Sequence, residues 1–264
     1  MKTSNPLQFQ LSRLTYFHLA LGAMLVLAFT PLTGRAQSDD FNDGNDTGWT
    51  RFDPFAPFGA PASFTFPAGA YSIQSAPSPS PGTLGASRAA SLRNDVSYTV
   101  FNVTFDVVDW NNTLNQAFGA LARVNQLGLG TTDGYAFTYA TGGTIDISRV
   151  LNEAPTGLGS ASITLNPAND YRFVFSGNGT SLSGQVFDLA NLSAPLATLN
   201  VTDAMFASGN AGFVVFDNTP AGTGSAAATF DNYVGAVPEP SAHLLLVAGG
   251  IALYCCSRRR GRTS

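Results

Sequence analysis

The stretch FNVTFDV at 101–107 alternates without a break: Phe101, Val103, Phe105 and Val107 share one parity, and Asn102, Thr104 and Asp106 share the other. Side chains on a strand point alternately to opposite faces, so this pattern predicts a half-buried antiparallel strand with its four apolar residues inward. It lies within the longest of a series, VSYTVFNVTFDVVDW. Shorter segments of the same kind recur: ASFTF, AYSIQS, AASLR, QAFGALARV, GYAFTYA, TIDISRV, ASITL, DYRFVFSG, LSGQVFDL, LATLNV, AGFVVFD and AATFDNYVG. Turn-forming clusters such as PSPSPG, TTDG, TGG, NPAND and GNGT separate them. No comparable 3.6-residue period appears between residues 37 and 236. About a dozen strands joined by short turns predict an all-β chain folded as a two-sheet antiparallel sandwich.

The two ends follow other rules. A mildly basic leader with Lys2 and Arg13 precedes the apolar run LALGAMLVLAF at 19–29, and small residues follow at Gly34 and Ala36. That order predicts a secretory signal over residues 1–36, helical in its apolar part and cut between Ala36 and Gln37 after passage through a Sec-type translocon. At the other end, residues 242–256 contain no Asp, Glu, Lys or Arg, and Arg258, Arg259, Arg260 and Arg262 follow them. Fifteen helical residues reach about 22 Å, so residues 237–264 predict a short transmembrane helix helped by snorkelling arginines. The positive-inside bias places the arginines in the cytoplasm and the preceding chain outside the inner membrane.

The triplet Pro238, Glu239, Pro240 after Val237, followed at once by the apolar run and the arginine cluster, resembles the PEP-CTERM sorting signal of exopolysaccharide-producing Gram-negative bacteria. The resemblance covers about the last 28 residues; His243, Cys255 and Cys256 depart from the family's usual Leu/Gly/Ala-rich run. It implies recognition of the tail by an exosortase, a membrane cysteine protease. It also implies transient anchoring in the inner membrane and delivery to the cell surface or the extracellular space.

Between the ends, residues 37–236 form one expected domain holding 16 acidic residues against six arginines, a formal charge near −10. Nucleic acid requires a basic footprint and is therefore excluded as a partner. Every His, Lys and Cys of the chain lies outside 37–236. Ser-His-Asp and Cys-His nucleophilic machinery, lysine Schiff bases, His/Cys zinc sites and disulfide staples are excluded with them. Stability must come from a core, for which about 200 residues suffice.

The opening DDFNDGNDTGW, the GYAFTYA segment and the closing GFVVFDN and ATFDNYVG are similar to the concanavalin A-like jelly roll of legume lectins, laminin G modules and laminarinase-type glycosidases. The resemblance implies chain ends lying side by side. The Glu-x-Asp-x-(x)-Glu strand of the laminarinase type is absent, Glu153 in LNEAPTG being the one glutamate of the domain. Asp106 and Asp109, three positions apart, are expected on opposite faces of their strand, which argues against them as a catalytic pair. Asp43, Asn45, Thr47 and Gly48 open like an EF-hand loop, but Pro54 stands at the twelfth position. Asp40, Asp43 and Asp231 are the candidate Ca²⁺ ligands where the ends meet; turn and strand-end capping is the competing reading. Tyr135, Phe137 and Tyr139 read as an inward stripe. Trp110, flanked by Asp109, Asn111 and Asn112, is the candidate exposed contact for a sugar ring. Asn-x-Ser/Thr triplets, at Asn102, Asn178 and Asn200 among others, carry no weight as glycosylation sites in a bacterial product of this kind.

The resulting expectation is an exported, non-enzymatic jelly-roll protein of the cell envelope or polysaccharide matrix. Binding of exopolysaccharide is the leading role, a purely structural matrix protein the second, and a hydrolase using Asp carboxylates the third.

Overall fold

The computed structural model describes residues 36–236 as two antiparallel sheets packed face to face. The expected signal and membrane helices, the sorting motif at Val237, Pro238, Glu239 and Pro240, and Arg258, Arg259, Arg260 and Arg262 lie outside these residues. Among the described residues no helix is long and apolar enough to cross a membrane.

One sheet has eight strands, in the order β13 (Ala197–Thr202), β12 (Ser181–Asp188), β11 (Tyr171–Asn178), β6 (Phe101–Trp110), β15 (Ala226–Ala236), β4 (Tyr71–Ser75) and β3 (Ser63–Thr65), with β1 (Gln37–Asp39) also paired to β15. The other has seven: β10 (Ala154–Ser162), β9 (Thr144–Leu151), β8 (Asp133–Ala140), β7 (Gln116–Gln126), β14 (Gly209–Asp217), β5 (Arg88–Tyr98) and β2 (Trp49–Phe52). The expected adjacency of the ends is present, since Gln37 pairs with Gly235 and Asp39 with Tyr233.

The alternation places the core where it predicts. Phe101, Val103, Phe105 and Val107 are each at most 1% exposed, and Tyr135, Phe137 and Tyr139 form the inward stripe of β8. Aromatic rings fill the space between the sheets: Phe213 stacks on Phe230 with centroids 4.4 Å apart and on Trp49 at 5.0 Å. Inward Gly177 and Gly184 make room for such rings, because a Cβ at either would lie 2.2 Å from Phe101 Cε1 or 2.4 Å from Phe137 Cε2.

Two local readings are corrected. The segment VSYTVFNVTFDVVDW is not one strand: β5 ends at Tyr98, the chain turns at Thr99 and Val100, and β6 begins at Phe101. This turn has no Gly, Pro, Asn or Asp to announce it. Glu153 sits in a two-residue hairpin turn, with Asn152 and Glu153 at φ 53° and 61° between paired Leu151 and Ala154. Positive φ at both central residues matches the twist of the flanking strands. Finally, Asp106 and Asp109 do not face opposite ways. Val107 pairs with Phe230 and Asp109 with Thr229, so Val108 is an extra residue in β6. Such a bulge reverses the parity and leaves both aspartates on the outer face.

Candidate functional site

That bulge also decides the fate of Trp110. Instead of pointing to solvent, its ring is 5% exposed and packs against Phe118, Tyr171 and Tyr139 at 5.5, 5.9 and 6.4 Å. Its indole N–H donates to Asn112 Oδ1 at 3.4 Å. Trp110 is a core residue, and the expected exposed sugar contact is withdrawn on that ground.

The expected calcium ligands come together only in part. Asp40 Oδ1 accepts from the Asn42 amide at 3.3 Å, Asp43 Oδ1 from Asn45 at 3.1 Å, and Asn45 Oδ1 from Thr47 at 2.9 Å. The EF-hand-like spacing is therefore a run of Asx turns, in which short polar side chains satisfy the backbone two residues on. Hydrogen bonds from Asn42 hold the Asp40 carboxyl below the usual range. Asp231 moves the other way: burial raises it, an amide bond from Asn232 opposes this, and the charges of Asp106 and Asp40 add to the rise. Asp40 and Asp231 thus approach each other, while Asp43 stays in its own turn. Among the described residues no group of three or more His, Cys, Asp or Glu side chains is arranged to hold a metal.

A trough of about 790 Å³ crosses the outer face of the eight-stranded sheet over β6, β11, β12 and β13. Its floor follows from the register. Asn102 pairs with Ser176, Ser176 with Ser183 and Ser183 with Asn200, so four short polar side chains form one row across four strands. Asn178 and Thr202 lie at its end, and Val174 and Gln185 form part of the next row. The lining has no charged residue, and its one aromatic, Phe101, points into the core at 1% exposed. The floor's hydrogen-bonding capacity is unspent. Among the described residues, the side chains of Asn102, Ser176, Ser183 and Asn200 make no hydrogen bond; Asn102 Oδ1 is buried, so the groups of the row open to a ligand are the Asn102 amide nitrogen and the side chains of Ser176, Ser183 and Asn200.

One buried cation shapes the end of this trough. Arg123 is 1% exposed and lies 5.4 Å from the Phe101 ring. Its guanidinium donates to the carbonyls of Gly179, Phe206 and Thr99 at 2.8, 3.0 and 2.7 Å. Three separate turns are tied together beside Val100 and Asn178. On the other side stands an ion pair, Arg172 to Asp106, bidentate at 2.8 and 2.9 Å, with Asn232 donating to the same carboxylate at 3.0 Å.

The outer face of the seven-stranded sheet is different in kind. Ala90, Leu92, Leu121, Val124 and Ala136 form a second apolar cluster there, each at most 7% exposed. Asp146 is the one carboxylate of its central rows, and it accepts from Thr138 at 2.9 Å and Ser148 at 2.6 Å. Glu153 is bound by Arg88, whose Nε lies 2.8 Å from Oε1.

The trough residues were within reach of the sequence. Asn102 with Thr104, and Asn200 with Thr202, are Asn-x-Thr triplets set aside as chance glycosylation patterns. On a strand, residues two apart share a face, so each triplet marks a polar outer face. What the sequence does not contain is the register that lines the faces up.

No protein-family model matches the chain, and no curated protein sequence matches it. Solved structures do. The carbohydrate binding module CBM66 from Bacillus subtilis aligns at TM-score 0.53 and 15% identity, covering 73% of this chain and 98% of its own. Basic winged bean lectin aligns at 0.54 and 11%, covering 79% and 100%. The Bacillus licheniformis β-glucanase aligns at 0.53 and 13%, covering 78% and 100%. Such a likeness identifies the architecture alone: the chain folds as a two-sheet antiparallel jelly-roll sandwich, as these structures do.

Proposed function

We propose that the protein is an exported, non-enzymatic polysaccharide-binding protein of the cell surface or extracellular matrix, sorted through its PEP-CTERM tail by an exosortase-type protease. The observation that carries the binding role is the trough, a row of unspent amides and hydroxyls on a rigid sheet. Sugars are recognised through hydroxyl groups, and a concave site with a few fixed neutral donors and acceptors suits them. The carbohydrate-binding module and lectin among the structural neighbours support the same reading by analogy of fold.

The carboxylates argue against hydrolysis. Glycosidase chemistry needs one carboxyl to donate a proton and a second to act as nucleophile or base. Glu153 is held by Arg88, Asp106 by Arg172 and Asn232, and Asp146 by two hydroxyls. Asp109 and Asp231 stand on the same outer face but outside the trough, whose lining contains no carboxylate.

Two measurements test the proposal. In affinity electrophoresis of the full-length protein in detergent, the producer's own exopolysaccharide should retard migration without release of reducing sugar. Loss of retardation in every polysaccharide tried would favour a purely structural role, and sugar release would establish a hydrolase. Intact mass of surface-extracted protein should show a chain beginning at Gln37 and lacking Arg258, Arg259, Arg260 and Arg262; recovery of the arginine tail would refute the sorting route.

A further inference from the structure

We infer that the trough takes a neutral, extended, β-linked polysaccharide laid across the strands, with about one sugar unit per strand. The inference rests on the proposed polysaccharide-binding role and adds the class of glycan and its direction.

Charge comes first. Uronic, sulfated or pyruvylated chains bring an anion at every repeat, and affinity for them needs an unspent cation. The lining supplies none. The nearby guanidinium of Arg172 is taken by both oxygens of Asp106. Asp106 and Asp231 stand on the same face, where β6 pairs with β15. An anionic chain would lose its hydration and meet repulsion; a neutral one meets only dipoles.

The mode of contact follows from the side chains. With the Phe101 ring facing inward, no aromatic platform is available for stacking. Recognition is left to hydrogen bonds from Asn102, Ser176, Ser183 and Asn200, with Val174 beside them as an apolar contact for the C–H face of a pyranose. Each such bond contributes little net, because it replaces a bond to water, so a single sugar is held weakly and several must be bound together.

Geometry then selects the chain shape. Neighbouring strands lie ~4.8 Å apart, so the row from Asn102 to Asn200 repeats a hydrogen-bonding position over about 14 Å. An extended β-1,4-linked hexopyranose chain advances per unit by a distance close to this ~4.8 Å strand spacing and turns each unit over relative to the last, so one unit lies over each strand and presents its two edges alternately to the small amides and hydroxyls of the row. An α-1,4-linked chain coils and cannot keep that register. A rigid sheet cannot adapt to it, because the strand spacing is set by the backbone ladder.

The test is calorimetric titration of the full-length protein in detergent. The probes are cello-oligosaccharides and mixed-linkage β-glucan oligosaccharides of two to six units, malto-oligosaccharides of the same lengths, and polyguluronate. Affinity for the β-linked series should rise at least about tenfold from two to four units and then flatten; maltohexaose and polyguluronate should give no heat. Asn200→Ala, an exposed position, should lower affinity for the four-unit ligand several-fold while leaving the melting curve unchanged. Tighter binding of polyguluronate or of the malto series, affinity indifferent to length, or full affinity in Asn200→Ala would overturn the inference while leaving polysaccharide binding in place. Absence of binding to every glycan in the set and to the producer's own polymer would overturn both.

Discussion

The outer faces of the two sheets are built from the same strand alternation and put it to opposite uses. On the eight-stranded sheet the outward positions of β6, β11, β12 and β13 include a row of short polar side chains, Asn102, Ser176, Ser183 and Asn200, that make no hydrogen bond among the described residues. On the seven-stranded sheet the corresponding positions of β5, β7 and β8 carry Leu92, Leu121 and Ala136, which are buried in a cluster of their own. Buried apolar surface contributes to stability wherever it occurs, whereas an unspent hydroxyl on a sheet contributes almost nothing until something binds it. One face therefore adds to the stability of the molecule, and the other carries the row on which the proposed binding role rests.

That contrast can be broken by mutation. The largest effect is expected from Trp110→Ala, which removes a ring packed on three aromatic neighbours. About 3–5 kcal/mol should be lost, and the thermal midpoint should fall by roughly 10 °C or more. A midpoint within a degree of the parent would show that the ring is not in the core.

Next in size is the pair Leu121→Ala and Ser183→Ala, one on each outer face. Leu121→Ala should cost about 2–4 kcal/mol, and Ser183→Ala should stay within ~0.5 kcal/mol in stability while weakening glycan binding. Equal destabilisation by both would erase the distinction between the faces.

The smallest effect concerns Asp231 at the acidic margin beyond the trough. Burial raises its pKa from 3.8, so the folded chain binds this proton more readily than the unfolded chain. Stability from this group accordingly declines as pH rises from 3.8 to its raised folded value, and at neutral pH the carboxylate opposes folding. Asp231→Asn keeps an oxygen to accept from the Asn232 amide and should raise the midpoint by about 1–2 °C at neutral pH, the gain vanishing below the ordinary carboxylate range. A lowered midpoint at neutral pH would show that the charge is held by a partner, as a bound cation would require.

Much of the fold was legible. Phe101, Val103, Phe105 and Val107, and Tyr135, Phe137 and Tyr139, occupy the inward positions their parity predicts, because a buried sheet face tolerates no slip of one residue. The misread residues cluster at irregularities. Trp110 and Asp109 follow the bulge at Val108, which exchanges the two faces without any mark in the sequence. The turn at Thr99 and Val100 is announced by no turn former; its Thr99 carbonyl is held instead by Arg123, 24 residues away.

The sequence by itself determined the sandwich, its core stripes and the chemistry its domain lacks, since parity, turn composition and the absence of His, Lys and Cys are properties of the chain read in order. It also marked outer faces as polar through the Asn-x-Thr triplets at Asn102 and Asn200. Only the tertiary structure decided which polar residues stand in one row. Asn102 and Asn200 are brought together through Ser176 and Ser183 by the registers of three strand pairs. A register is set by the fit of whole faces against a common core, an interaction that no local stretch encodes.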